Sequence, residues 1–133
     1  MITSPYDKYR QSSVQTSNPA QLVIMLYDGA IRFTKTAIAA MQQQDIEKVN
    51  FNLGKAQTII SELMSTLNQD YDISKNLYSL YEYTNYLLVE ANIHRDETKA
   101  EEAVGYLSEL RETWIQASKI AISQEGQPVN ANG

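Results

Sequence analysis

Apolar residues recur every three or four positions along most of this chain. Spacing that alternates between three and four over several turns is typical of amphipathic helices and not of strands. The pattern therefore predicts four helices, each with one apolar stripe facing a common core. The four stripes are Leu22, Leu26, Gly29, Phe33 and Ala37; Val49, Leu53, Ala56, Ile60, Leu63 and Leu67; Leu77, Leu80, Thr84, Leu87 and Ala91; and Ala100, Ala103, Leu107, Leu110, Trp114, Ala117 and Ala121.

The helix boundaries follow from proline, glycine and capping residues. The chain has three prolines, and none of them lies between residues 20 and 127. Pro19 after a capping residue is typical of a helix start, and Gly126 followed by Pro128 is typical of an end. The predicted capping residues are Asn18 with Gln21, Asp45, Asp72 or Ser74, and Thr98 with Glu101.

Short links between helices of similar length favour antiparallel neighbours. The predicted fold class is all-α, an antiparallel up-down four-helix bundle over residues 18–126. Residues 1–17 are predicted to be a flexible N-terminal segment and a possible lid, and residues 127–133 a disordered tail. A chain of 133 residues suits one domain with a core of its own.

The first and third helices carry a second apolar face, opposite the core stripe when residues are placed about 100° apart. Its members are Ile24, Tyr27, Ile31 and Ile38 in the first helix, and Tyr86, Val89 and Ile93 in the third, with Tyr78 and Tyr83 at the margins. The fourth helix shows a milder version with Val104, Ile115 and Ile122, whereas the second is polar outside apart from Phe51. Wide core stripes would explain single residues, but a contiguous apolar patch usually marks a binding surface.

Tyrosine is concentrated in two places. Five of the nine tyrosines lie between Tyr71 and Tyr86, and this residue type is enriched at interfaces because it tolerates a half-wet position. Tyr6 and Tyr9 are three positions apart and would share one face of a helical turn. The N-terminal segment is therefore either a lid over an apolar groove or a disordered tail.

Charge and composition narrow the class of partner. The net charge of −5 and the isoelectric point of about 4.8 disfavour nucleic acids and anionic membranes. Cysteine is absent, which excludes disulfides and thiolate metal sites. Neither an apolar run of ~20 residues nor a secretory signal is found. Asp28 and Arg32, four apart, are expected to form an exposed pair of little energetic weight.

Candidate chemistry is sparse. The single histidine, His94, excludes the usual di-iron bundle, which needs a Glu-x-x-His pair on each of two helices. Histidine phosphotransfer domains are also acidic four-helix bundles with one reactive histidine, and they stay as a less favoured alternative because His94 stands at a helix end. No catalytic residue, metal site or cofactor is predicted, so we expect a protein that is not an enzyme.

The run SPYDKYRQSSVQTSNPAQLVIMLYDGAIRF resembles the N-terminal signature of the FliS family, the flagellin-specific export chaperones. The matching features are a Pro-Tyr-x-x-Tyr segment, a Thr-Ser-x-Pro helix cap, and Leu-Val-x-Met-Leu-Tyr-Asp-Gly-Ala-x-Arg-Phe. The four-helix pattern and the length extend the resemblance over about residues 5–125.

The resemblance implies a cytoplasmic chaperone that binds the C-terminal segment of flagellin, one to one, and prevents its polymerisation before export. It also implies delivery to the flagellar type III export gate, a membrane protein. In the family the client wraps around the bundle and folds in its grooves. The N-terminal segment covers part of that surface and its aromatic residues, by position Tyr6 and Tyr9, are linked to gate contact.

These lines converge on a secretion chaperone whose apolar grooves lie on the first and third helices, which would be diagonal in the bundle. The alternative is a homo-oligomeric structural bundle that pairs through the same faces. Polar replacement of Tyr27 and Ile31 is expected to weaken client binding and leave stability nearly unchanged. The candidate partner-binding residues are Tyr6, Tyr9, Ile24, Tyr27, Ile31, Ile38, Tyr78, Tyr86, Val89 and Ile93.

Overall fold

Four α-helices joined by three short turns make up residues 19–125, the part of the chain that the computed structural model describes. No strand occurs among these residues, and the predicted all-α, four-helix fold is confirmed. Residues 1–18 and 126–133 lie outside the described residues, and with them the predicted cap at Asn18, the predicted helix end at Gly126, the segment 1–17 and the tail 127–133. The helices are α1 (Pro19–Gln42), α2 (Ile46–Ser65), α3 (Asp72–His94) and α4 (Glu97–Glu125).

The turn after α1 and the turn after α3 are built in the same way. Gln44 and Arg95 adopt left-handed backbone conformations, with φ of 59° and 54°. The N–H of the next residue, an aspartate in both turns, donates back to a helix carbonyl: Asp45 to Ala40 at 2.9 Å and Asp96 to Ala91 at 3.0 Å. Such a bond closes a helix C-terminus and reverses the chain, which makes the flanking helices antiparallel.

The same two aspartates cap the helices that follow. Asp45 Oδ1 accepts from the Lys48 N–H at 3.2 Å, as the sequence predicts. Asp96 Oδ1 accepts from the N–H groups of Thr98 and Lys99 at 3.0 and 3.3 Å, so the predicted cap at Thr98 is wrong. Because Arg95 has already reversed the chain, the helix begins at Glu97 and Thr98 falls inside it.

The predicted cap of α3 is also wrong. Tyr71 occupies the N-cap position and makes no side-chain capping bond, while Asp72 is the first helical residue. Ser74 lies within the helix and is buried. The turn from Leu67 to Tyr71 presents Tyr71 in an extended conformation at the point where the helical backbone starts, and this geometry overrides the local preference for a capping side chain.

The core lies between the four helices and contains most members of the predicted stripes, but the stripe of α4 leaves it after Trp114: Ala117 is exposed, and the side chain of Ala121 lies outside the described residues. Several members are alanines, which let the helix backbones approach closely. Tyr27, Ile59, Tyr81 and Leu88 are also buried, although the stripes did not include them. The buried apolar residues are Leu26, Tyr27, Ala30, Ala37, Ala40, Met41, Val49, Leu53, Ala56, Ile59, Ile60, Leu63, Tyr81, Leu87, Leu88, Ala91, Ala100, Ala103 and Leu107.

Each helix packs against two others. α1 contacts α2 and α4, and α3 contacts α2 and α4, so α1 and α3 are diagonal, as an up-down bundle requires. The Trp114 indole N–H donates to the Ala20 carbonyl at 3.0 Å and fixes α4 against the start of α1. The Gln42 amide donates to Glu97 at 2.9 Å at the opposite end. None of the described helices has the length and hydrophobicity needed to cross a membrane.

Candidate partner-binding surfaces

Tyr27 does not lie on an outer face of α1. Its side chain is 1% exposed, and its hydroxyl is 2.5 Å from the hydroxyl of Tyr81 on the diagonal helix α3. The two rings are tilted by 55° with centroids 6.3 Å apart. The prediction placed Tyr27 outside because it lies about 100° from Leu26 on the helical wheel. A side chain of this length reaches back into the centre of the bundle, where the second phenol satisfies its hydroxyl.

The other members of the second α1 face lie at the edge of the core. Ile24, Ile31 and Ile38 are all half-buried, and Ile31 and Ile38 pack against the core cluster. α4 lies against α1, and an ion pair between Asp28 and Arg111 joins the two helices. The expected Asp28–Arg32 pair is therefore replaced by an interhelical pair, because Arg111 approaches Asp28 from the neighbouring helix.

The outer face of α3 is open to solvent. Tyr86 is 51% exposed and Ile93 is 63% exposed, whereas Tyr78 is just over one-third exposed and Val89 is half-buried. These four residues span about four turns of α3 and lie on one side of it, with the acidic Glu82 between Tyr78 and Tyr86. We call them the α3 strip. An exposed strip of this kind is available to a partner without any change in the bundle.

An apolar cleft of about 380 Å³ lies at one end of the bundle. It is enclosed by the first turn of α1, the α2–α3 turn, the first turns of α3 and the indole of Trp114. Its residues come from four separate segments, so no single helical pattern reveals it. The lining residues are Pro19, Ala20, Leu22, Val23, Thr66, Leu67, Asn68, Ile73, Ser74, Leu77, Tyr81 and Trp114.

The sequence does hold one signal for this cleft. Ile73 is an apolar residue in the first turn of α3, outside the core stripe of that helix, and its side chain is largely exposed. The cleft also has Pro19 at its rim, so residues 1–18 join the bundle there. Tyr6 and Tyr9 belong to that segment and lie outside the described residues.

A second, more open cleft follows the outer face of α1. It measures about 460 Å³ and is lined by Asp28, Ile31, Arg32, Lys35, Thr36, Ala39, Gln43 and Lys48. Its walls carry three cationic side chains, Arg32, Lys35 and Lys48, among apolar surface, in contrast to the apolar cleft at the bundle end. The structure thus separates an apolar surface on the α3 side from a mixed, cationic surface on α1.

His94 is the last residue of α3. Its Nε2 atom is 3.6 Å from a carboxylate oxygen of Glu90, and its side chain is largely exposed. Within residues 19–125 no three histidine, cysteine, aspartate or glutamate side chains are grouped so that they could hold a metal ion.

Comparison with known proteins gives a consistent result. The family model of the flagellar protein FliS matches residues 2–121. The flagellar secretion chaperone FliS of Bacillus subtilis (strain 168) is 41% identical over 116 residues, which cover 87% of this chain and 87% of that protein. The flagellar secretion chaperone FliS of Salmonella typhimurium is 36% identical over 120 residues, 88% of this chain and 89% of that protein.

A solved structure supports the fold. The crystal structure of a flagellar chaperone from bacteria superimposes with a TM-score of 0.71 and 22% sequence identity, covering 86% of this chain and 94% of that one. At this level of identity the likeness supports the helical bundle and no finer property.

Proposed function

Because this chain belongs to the FliS family, whose curated relatives are named flagellar secretion chaperones, we propose that it binds the C-terminal segment of flagellin, one to one. Binding would keep flagellin from polymerising before export. The complex would form in the cytoplasm and then meet the membrane protein of the flagellar type III export gate. The observation that carries this proposal is the apolar cleft at the bundle end together with the exposed strip on α3.

The energetics favour such a client. A disordered segment that folds on binding loses chain entropy worth about 2–5 kcal/mol, so it needs several apolar anchors. Each Å² of apolar surface removed from water contributes about 25 cal/mol. A cleft of about 380 Å³ and a strip along about four turns of α3 supply anchors at separate points, which suits an amphipathic helix laid in a groove.

The proposed contact residues follow from exposure. Tyr78, Tyr86, Val89 and Ile93 on α3 would touch the client, and the half-buried Ile24, Ile31 and Ile38 on α1 would line the seam that it follows. Tyr27 is 1% exposed, so in this proposal it supports the fold and makes no contact. Tyr6 and Tyr9, in the segment joined to the rim of the cleft, would cover the apolar surface before the client arrives and afterwards contact the export gate.

Calorimetric titration with the flagellin C-terminal segment tests the proposal. We expect saturation at one segment per chain and a strongly negative heat-capacity change, since apolar burial and coupled folding both lower it. Replacing Tyr86 and Ile93 with serine should weaken binding without lowering thermal stability, because both side chains are at least half exposed.

Phe51→Ser is the matched control. Phe51 is 59% exposed, and it lies on α2 under the ammonium group of Lys55, away from the proposed strip. Equal losses in the control and in the double variant would show that general surface hydrophobicity, and not this strip, holds the client. No heat of binding with the unmodified protein would remove the proposed function itself.

A further inference from the structure

Three tyrosine rings meet on the surface at the seam of α3 and α4. Tyr83 lies nearly parallel to Tyr86, with an interplanar angle of 24° and centroids 6.1 Å apart. Tyr106 of α4 meets Tyr83 edge to face, at 77° and 5.7 Å. We call Tyr83, Tyr86 and Tyr106 the tyrosine platform. Both geometries are ones that aromatic pairs prefer.

Two rings of the platform are exposed, and the third, Tyr106, is half-buried against the core. Tyr83 and Tyr86 are 41% and 51% exposed, and the Tyr83 hydroxyl donates to Glu102 of α4 at 2.9 Å. This hydrogen bond raises the pKa of the Tyr83 phenol, which therefore stays neutral. Rings ordered before binding lose little conformational entropy when a partner arrives.

Negative charge surrounds the platform. Glu102 contacts Tyr83 directly, and Glu82 and Glu90 lie one helical turn on either side of Tyr86. The Glu90 carboxylate lies 3.6 Å from the imidazole of His94. The faces of the rings are themselves electron-rich, and a carboxylate beside them strengthens their attraction for a cation.

Two phenylalanine rings elsewhere in the bundle each have a cation over them. Within residues 19–125, Arg32 lies over Phe33 at 5.2 Å from the ring centroid, and Lys55 lies over Phe51 at 5.1 Å. Both of those rings carry a cation from their own helix. The tyrosine platform instead has the Glu102 carboxylate as its polar neighbour, and among the described residues no lysine or arginine lies over its rings.

We propose that the tyrosine platform docks a segment of a partner protein that carries arginine or lysine, with the cation over the exposed ring of Tyr86 and beside Glu82 and Glu102. The proposal does not require that segment to come from flagellin. Tyr86 also belongs to the α3 strip proposed for the client, so the two segments would compete for its ring. The probes below contain no flagellin, so their failure would not bear on client binding, and a failure of flagellin to bind would not bear on the probes.

Two synthetic probes test this docking surface. One is a short alanine-rich helical peptide with two arginines four positions apart, and the other has citrulline, which keeps the shape and removes the charge, at both positions. In spectra of protein labelled on its tyrosine rings, we expect the arginine peptide to shift the resonances of the platform. The citrulline peptide should leave these resonances unshifted, and added salt should weaken binding of the arginine peptide.

Variants locate the effect. Tyr86→Leu keeps an apolar side chain and removes the ring. It should weaken binding of the arginine peptide by about threefold, as expected for a cation–π contact at an exposed site. The double variant Glu82→Gln and Glu102→Gln should weaken binding of the arginine peptide, because it removes the two carboxylate charges and keeps the three rings. Phe51→Leu, which alters an exposed ring on α2, should change nothing.

Three results would each overturn the proposal. The first is equal binding of the two peptides. The second is unchanged affinity of the arginine peptide for Tyr86→Leu, which is half exposed and should fold normally. The third is a set of shifted resonances confined to tyrosines outside the platform.

Discussion

At the scale of single residues, the most consequential pair is Tyr27 with Tyr81. Both side chains are buried, and each hydroxyl is the hydrogen-bond partner of the other. The hydrogen bond between the two hydroxyls links the diagonal helices α1 and α3 through the core. A buried hydroxyl without a partner is costly, so each tyrosine makes the other tolerable in the core.

Removing both hydroxyls should cost less than the two single removals added together. Tyr27→Phe and Tyr81→Phe should each lower the free energy of unfolding by about 1–3 kcal/mol, because one buried hydroxyl is then left unpaired. The double variant should lose less than the sum of the two. Urea denaturation of the four proteins measures the coupling, and simple additivity would show that the hydroxyls act independently.

The same pair predicts how stability depends on alkaline pH. Burial raises the pKa of Tyr27 and of Tyr81 above the ordinary 10.0. Above about pH 10 the unfolded chain therefore loses phenolic protons that the folded protein keeps, and stability falls as pH rises, by up to about 1.4 kcal/mol per pH unit for each phenol.

Unfolding free energies measured between neutral pH and the alkaline range check this slope. Below pH 10 the contribution of the pair is fully present and constant. The double variant Tyr27→Phe and Tyr81→Phe should show a shallower fall above that value. An identical fall in both proteins would assign the alkaline sensitivity to other groups.

At the scale of the elements, two of the three turns share one design. A left-handed residue closes the preceding helix, and the aspartate after it caps the next one. Local patterns located the first of these caps, Asp45, but favoured Thr98 over Asp96 at the second. Arg95 adopts a left-handed backbone conformation, which arginine rarely does, and the sequence gives no sign of it. As a result α4 begins at Glu97, before Thr98.

Capping variants can separate the two candidates. Asp96→Ala should lower the free energy of unfolding by about 1 kcal/mol, since two backbone N–H groups lose their acceptor. Thr98→Ala is the control and should change stability by less than about 0.5 kcal/mol, because Thr98 lies in the exposed first turn. Thermal unfolding measures both. A larger loss for Thr98→Ala would restore the capping box that the sequence favours.

At the scale of the whole molecule, the bundle has more apolar surface than its core buries. Tyr86 and Ile93 of the α3 strip are exposed, and the cleft at one end opens onto side chains that pack against the core, whereas the α1 isoleucines are half-buried. Surface of this kind serves either a foreign segment or a second copy of the chain. Client binding and self-association predict different masses for the protein in solution.

Light scattering with and without the flagellin C-terminal segment distinguishes these uses. We expect the mass of the complex to equal one chain plus one segment, since the client would cover the apolar surface. A stable oligomer of the free protein that persists unchanged when the segment is added would favour the alternative, a homo-oligomeric structural bundle. Protein in which Tyr86 and Ile93 are replaced by serine provides the control, because it lacks much of the exposed strip.

The sequence by itself determined the number of helices, most of the core stripe of each and the up-down order, because these depend on spacing of three and four along one chain. Only the tertiary structure decided the place of Tyr27, the Asp28–Arg111 pair, the cleft and the tyrosine platform. Each of these joins side chains from different helices. A helical wheel gives the direction of a residue on its own helix, but the reach of its side chain and the neighbour it meets depend on how the helices pack.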